Sequence, residues 1–129
     1  MQRTDYLLLG TFFTLDSQVQ ELDQLHLQVR LNSRHALYEG HFPSRPVVPG
    51  VCVLGMVKDV LQHHLSQRLL LRTCTSGKFL RPIDPFTMAT LDLTVQYTPR
   101  NLLLDFVASI QHERHVLCRV MGCFQPYAT

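Results

Sequence analysis

Residues 41–51 read His-Phe-Pro-Ser-Arg-Pro-Val-Val-Pro-Gly-Val, and three prolines within seven positions restrict what can surround them. Each proline fixes φ near about −65° and withholds a backbone donor, so the stretch is expected as a stiff bridge that joins neither a ladder nor a helix. Beyond it, Val53 or Leu54, Val57, Val60 or Leu61, and Leu65 recur at three- and four-residue steps. That is the period of a helix, predicted over about residues 52–67. The bridge therefore delivers one histidine, His41, to one helix start. Gly50 permits close backbone approach, and the amides of Gly50 and Val51 fall in the first turn, where they lack intrahelical partners and carry the positive end of the helix dipole. Amides so placed suit a polarised carbonyl oxygen.

The rest of the chain alternates. Leu25, Leu27, Val29 and Leu31 are separated by polar residues, the period of a half-buried strand, and His26 falls on its polar face. An apolar stretch over residues 6–15 and a polar one over residues 18–24 precede it, and residues 32–40 read as a connection. After the helix, residues 69–75 read as a strand, and residues 78–85 form a second proline-stiffened segment. Three further alternating runs follow: Leu91 to Tyr97, Leu104 to Ile110, and Val116, Cys118, Val120, Gly122 and Phe124. Short turns at residues 99–101 and 112–115 make them consecutive antiparallel hairpins. One long helix and at least five strands give an α+β domain over residues 1–129, most economically a curved antiparallel sheet wrapped around one central helix.

The 129 residues, 46% of them hydrophobic, suffice for a sizeable core without staples. A net charge of +2 is too small and too evenly spread to point to nucleic acid. Cys52, Cys74, Cys118 and Cys123 form no CxxC pair, which favours a reducing, cytoplasmic compartment. Residues 7–15 are similar to a short signal core, but Asp5 precedes them and no small-residue cleavage site follows before Asp16, so secretion is not expected. No apolar stretch approaches the roughly 18 residues of a membrane span.

Gly40-His41-Phe42-Pro43, Pro46 and Pro49-Gly50-Val51 resemble the signature of the 3-hydroxyacyl-acyl-carrier-protein dehydratases, which have the hot-dog fold. Lys78-Phe79, Arg81-Pro82 and Pro85 resemble that family's second segment at a fitting distance. The resemblance implies loss of water from a 3-hydroxyacyl thioester carried on the phosphopantetheine of an acyl carrier protein, in fatty-acid, lipid A or polyene-type synthesis. It implies no cofactor. His41 would take the proton beside the thioester carbonyl, and the amide of Gly50 would bind the carbonyl oxygen as charge develops. An imidazole with a pKa near ~6.5 suits that task at neutral pH.

One position departs from the family. The carboxylate expected fourteen residues after the histidine is replaced by Gly55. Asp59, four residues on, shares a helix face with Gly55 and would lean back over the space that glycine leaves empty, which suggests a relocated acid. Asp59 in a solvated surface beside Lys58, or paired with a nearby cation, are the alternatives. A second class of function follows. Hot-dog domains of this kind pair so that each site borrows residues across a two-fold interface, so the chain is either a homodimer or a subunit that binds acyl chains and pairs with an active hot-dog partner. A thioesterase is a third reading, against which the proline bridge argues.

Gly50, Val51, Gly55 and Phe79 are the expected substrate contacts, with Leu54 and Met56 as further candidates for a tunnel wall. Arg45, Lys78 and Arg81, together with Arg100, are expected to form a basic rim for an acidic carrier protein and its phosphate. His63-His64 and His112 to His115 lack the further ligands of a zinc site, and no metal is expected.

Overall fold

A computed structural model of the chain describes residues 6–40 and 45–127. His41, Phe42, Pro43 and Ser44 lie outside the described residues. The elements run β1 (Phe13–Glu21), β2 (Gln24–Leu31), α1 (Leu37–Gly40), α2 (Gly50–Leu65), β3 (Arg68–Phe79), β4 (Thr90–Arg100), β5 (Leu103–His112) and β6 (His115–Tyr127).

The six strands form one antiparallel sheet in the order β1-β2-β4-β5-β6-β3, so β1 and β3 are its edges. The strict alternation of β2, β4 and β5 places Leu25, Leu27, Val29, Leu93, Val95, Phe106 and Ile110 on one buried face, packed against α2. In α2 the side chains of Val53, Met56, Val57, Val60 and Leu61 are 1% exposed or less, so one apolar stripe runs the length of the helix inside the core. Such a stripe, facing the core, is what holds an amphipathic helix to a sheet.

The helix starts at Gly50 and ends at Leu65, two residues to the N-terminal side of the sequence expectation at each end. Ser66 closes it in the left-handed conformation, φ 50° and ψ 46°. The polar stretch as far as Glu21 belongs to β1, which pairs with β2 from Phe13↔Leu31 to Glu21↔Gln24. β3 reaches Phe79, so Lys78 and Phe79 stand in an edge strand and not in the proline segment that follows.

β6 departs from simple alternation. A bulge shifts the register between Ile110↔Cys118 and Gln111↔Val116, turning Leu117 inward at 1% exposure and leaving Val116 38% exposed. The Leu117 carbonyl freed there accepts the amides of Leu80 and Arg81 at 2.8 and 3.1 Å. The second proline segment is thereby fixed to the sheet, and Val48 N donates to Ile83 O at 2.9 Å to tie the first proline segment to the second. Three cysteines are buried and Cys74 is exposed; all four are free thiols. Among the described residues no helix is long and apolar enough to cross a membrane.

Candidate functional site

α2 starts directly after Pro49. Pro49, at φ −65° and ψ 150°, occupies the N-cap and supplies no side-chain cap. Cys52 and Val53 donate back to the Pro49 carbonyl at 3.0 and 3.3 Å, which leaves the amides of Gly50 and Val51 outside the helix ladder. The Phe79 ring lies across Gly50: a Cβ there would sit 2.9 Å from Phe79 Cζ. A side chain there would push the ring aside, and Gly50, Phe79, Arg81 and Ile83 line a cavity of about 390 Å³. The structure therefore brings Gly50 and Phe79 together.

α1 holds Tyr38 with 5% exposure against Phe12, their ring centroids 5.6 Å apart. It anchors the chain where it enters the residues that include His41. The Tyr38 hydroxyl is buried and has no hydrogen-bond partner among the described residues. Burial, and secondarily the Cys52 thiol, push the phenol well above its ordinary pKa, so it stays protonated.

The helix face at Gly55 is covered rather than empty. Leu8 lies over it, with Cδ1 only 2.8 Å from where a Gly55 Cβ would be. One turn on, Asp59 is 1% exposed. Its Oδ2 accepts the amides of Leu8 at 2.7 Å and Leu9 at 3.1 Å, and its Oδ1 accepts Gln62 Nε2 at 3.3 Å. Gln62 Oε1 in turn accepts the amide of Leu69, at the start of β3, at 2.9 Å. Asp59 neither leans over a vacant space nor faces solvent or a cation. Backbone amides of a segment about fifty residues earlier are its partners, and an amide donor leaves no mark in sequence. Tyr6 completes the arrangement by placing its hydroxyl 3.2 Å from His63 Nδ1. Residues 6–9 thus form a strap along Gly55, Asp59 and His63, three positions on one helix face.

Of the expected basic rim, Arg45, Lys78 and Arg81 are exposed, and Arg81 lines the cavity at Gly50. Arg100 stands elsewhere. It closes the β4–β5 hairpin toward the opposite end of β6 and binds Asp105 through Nε and Nη2 at 2.7 and 3.1 Å. Arg119, absent from the sequence expectation, lies directly opposite Lys78 in the β3–β6 register and is exposed. Directly opposed residues share one face of a sheet. His64 meets Gln18 at 2.9 Å and His112 meets the Thr90 carbonyl at 3.2 Å. Among the described residues no group of three or more His, Cys, Asp or Glu side chains converges.

Residues 17–119 match the model of the ApeI-like family, described as ApeI dehydratase. The chain belongs to the ApeI-like dehydratase family. This ApeI-like chain is also 27% identical over 104 residues to the 3-hydroxyacyl-[acyl-carrier-protein] dehydratase FabZ of Xylella fastidiosa strain M12, covering 70% of the chain and 65% of that relative. The chain thus spans just under two thirds of the length of the curated relatives it matches. Among solved structures it is similar to the dehydratase heterocomplex ApeI:P from Xenorhabdus doucetiae, with a TM-score of 0.67 and 22% identity over 88% of this chain and 96% of that one. A putative thioesterase from Ralstonia eutropha JMP134 has a TM-score of 0.61 at 13% identity over 90% and 86% of the two chains. At these identities the structural likenesses establish the hot-dog fold alone.

Proposed function

We propose that this ApeI-like chain is the histidine-bearing half of a 3-hydroxyacyl-thioester dehydratase whose acid comes from a second hot-dog subunit. The substrate is a 3-hydroxyacyl group on the phosphopantetheine of an acyl carrier protein, in fatty-acid, lipid A or polyene-type synthesis. His41 removes the proton from C2, and the electron pair moves toward the thioester carbonyl, whose oxygen is bound by the Gly50 and Val51 amides. The C2–C3 double bond forms as the C3–O bond breaks, and the hydroxyl leaves as water with a proton from the acid.

One observation carries the reading. At the position where the resemblance expects that acid, the chain has Gly55 covered by Leu8, and the nearest helix carboxylate, Asp59, is engaged by the Leu8 and Leu9 amides. The assembly named for the Xenorhabdus structure, a heterocomplex of dehydratases, supports a paired arrangement. Arg45, Lys78 and Arg81, joined by Arg119, are the surface for the acidic carrier protein.

The other reading assigns the acid to Asp59 itself, which stands one helical turn beyond Gly55. It requires the strap to release the carboxylate first. Following the conjugated enoyl thioester with chain and partner together separates the two. His41→Ala should lower turnover by about 10²- to 10⁴-fold. Asp59→Asn should leave the rate per folded molecule intact, and its loss would move the acid role to Asp59. Release of free thiol without enoyl product would identify a thioesterase instead.

A further inference from the structure

We propose that the strap, residues 6–9, is the wall that sets how long an acyl chain this subunit accepts, with Leu8 as the gauge and Asp59 as its clamp. The proposal rests on the reading of the chain as a binder of acyl thioesters. An apolar cavity of about 320 Å³ runs along α2 from Val51 past Gly55 to Lys58, with Leu7 and Leu8 as one wall and Leu71 and Phe124 as another. That volume lies at the small end of ligand pockets, roughly 300–1,000 Å³. It begins at the uncapped helix start, where the thioester carbonyl would sit. A hydrocarbon chain leaving that point along the helix meets Leu8 one turn on.

Leu8 is not a loose flap. Its amide donates to Asp59 at 2.7 Å, and its carbonyl accepts the amides of Phe12 and Thr11 at 2.8 and 3.1 Å. Moving it aside would uncover a carboxylate that is 1% exposed and strip it of two amide donors. The absence of a side chain at Gly55 lets the wall lie flush on the helix, since a Cβ there would already meet Leu8 Cδ1 at 2.8 Å. Gly55 and Asp59 therefore act as a pair: one makes room for the strap and the other holds it. Lys58 is the one charged residue of the lining, at the far end from the thioester site.

The test is binding of a homologous series of saturated acyl-pantetheine thioesters to the full chain and to Leu8→Ala, Leu8→Phe and Asp59→Ala. Leu8→Ala should move the best-bound length upward, each added methylene now buried tightening binding by about fourfold. Leu8→Phe should move it downward, and Asp59→Ala should flatten the dependence on length. Leu22→Ala, in an exposed turn, should change nothing. An unchanged optimum in the Leu8 variants, with thioesters still bound, overturns the gauge alone. Failure of the wild-type chain to bind any thioester overturns the gauge together with the function it rests on. Should Leu8→Ala fail to fold, the direction of shift in Leu8→Phe decides.

Discussion

Asp59 accepts the Leu8 amide at 2.7 Å while the Leu8 side chain rests on Gly55, one turn earlier in the same helix. A buried carboxylate with three donors on its two oxygens holds the strap to the helix, and the first expectation concerns its removal. Asp59→Ala leaves the Gln62 amide and two strap amides without their acceptor. Charge-assisted hydrogen bonds contribute about 1.5–3 kcal/mol each, but the strap amides regain water once released. The net loss should be about 2–3 kcal/mol in urea unfolding, with the melting signal still cooperative.

Tyr38 presents the opposite case, a buried hydroxyl that no described residue satisfies. Tyr38→Phe removes a group whose burial costs about 1–3 kcal/mol and keeps the ring that packs on Phe12. The variant should be as stable as the wild type or more stable, by up to about 1 kcal/mol. A drop in the urea midpoint would show that the hydroxyl is bonded in solution.

Gly122 sits where β6 passes close to the β3 backbone. A Cβ there would collide with the Thr73 carbonyl oxygen and stand 3.0 Å from the Phe106 ring. Since one obstacle is backbone, the β3–β6 pairing must open to admit it. Gly122→Ala should cost about 3 kcal/mol or more, above the usual cost of core overpacking. Gly55→Ala should cost far less, because it meets only the tip of Leu8 and gains about 1 kcal/mol of helix propensity.

Burial pushes the Cys118 thiol up to about 11 from an ordinary 9.0, and it raises the Cys52 thiol too. The folded chain then keeps protons that the unfolded chain releases above pH 9, so stability is full below that pH and falls toward pH 11. For Cys118, 1% exposed, the loss across that window should be on the order of 2 kcal/mol. Urea midpoints of the wild type and Cys118→Ala, compared at neutral and alkaline pH, read the difference. A wild-type midpoint that holds steady through the window would contradict the assignment.

Lys78 and Arg119 face each other across β3 and β6, and Arg81 is held beside them by the Leu117 carbonyl. Reversing the charge at Lys78 and Arg119 together should weaken carrier-protein binding at low salt by about tenfold and much less at high salt. Reversal at Arg100, paired with Asp105 toward the other end of β6, should not.

What the sequence revealed follows from how strictly each element obeys a period. β2, β4 and β5 alternate without interruption because one face is wholly buried, and α2 repeats at helical spacing because one stripe of it faces the core. β1 escaped notice because as an edge strand it buries only Phe13 fully, leaving its polar residues without a core to alternate against. Leu117 and Val116 exchanged their expected faces because a bulge has no periodic signal. Gly50 could be picked out because it follows Pro49 at a helix start, and Phe79 because its segment resembles the family's second motif; that the ring lies over the glycine is a contact no sequence pattern carries. The strap could not, since Asp59 recognises backbone amides that every residue but proline possesses.

The account turns on where the acid comes from, and initial rates of enoyl thioester formation from a 3-hydroxyacyl carrier protein measure that most directly. The purified chain alone should show little turnover. Addition of a hot-dog subunit that retains its helix carboxylate should raise the rate by about 100-fold or more, and His41→Ala in this chain should abolish the gain. Full turnover by the chain alone, lost in Asp59→Asn, would contradict the account.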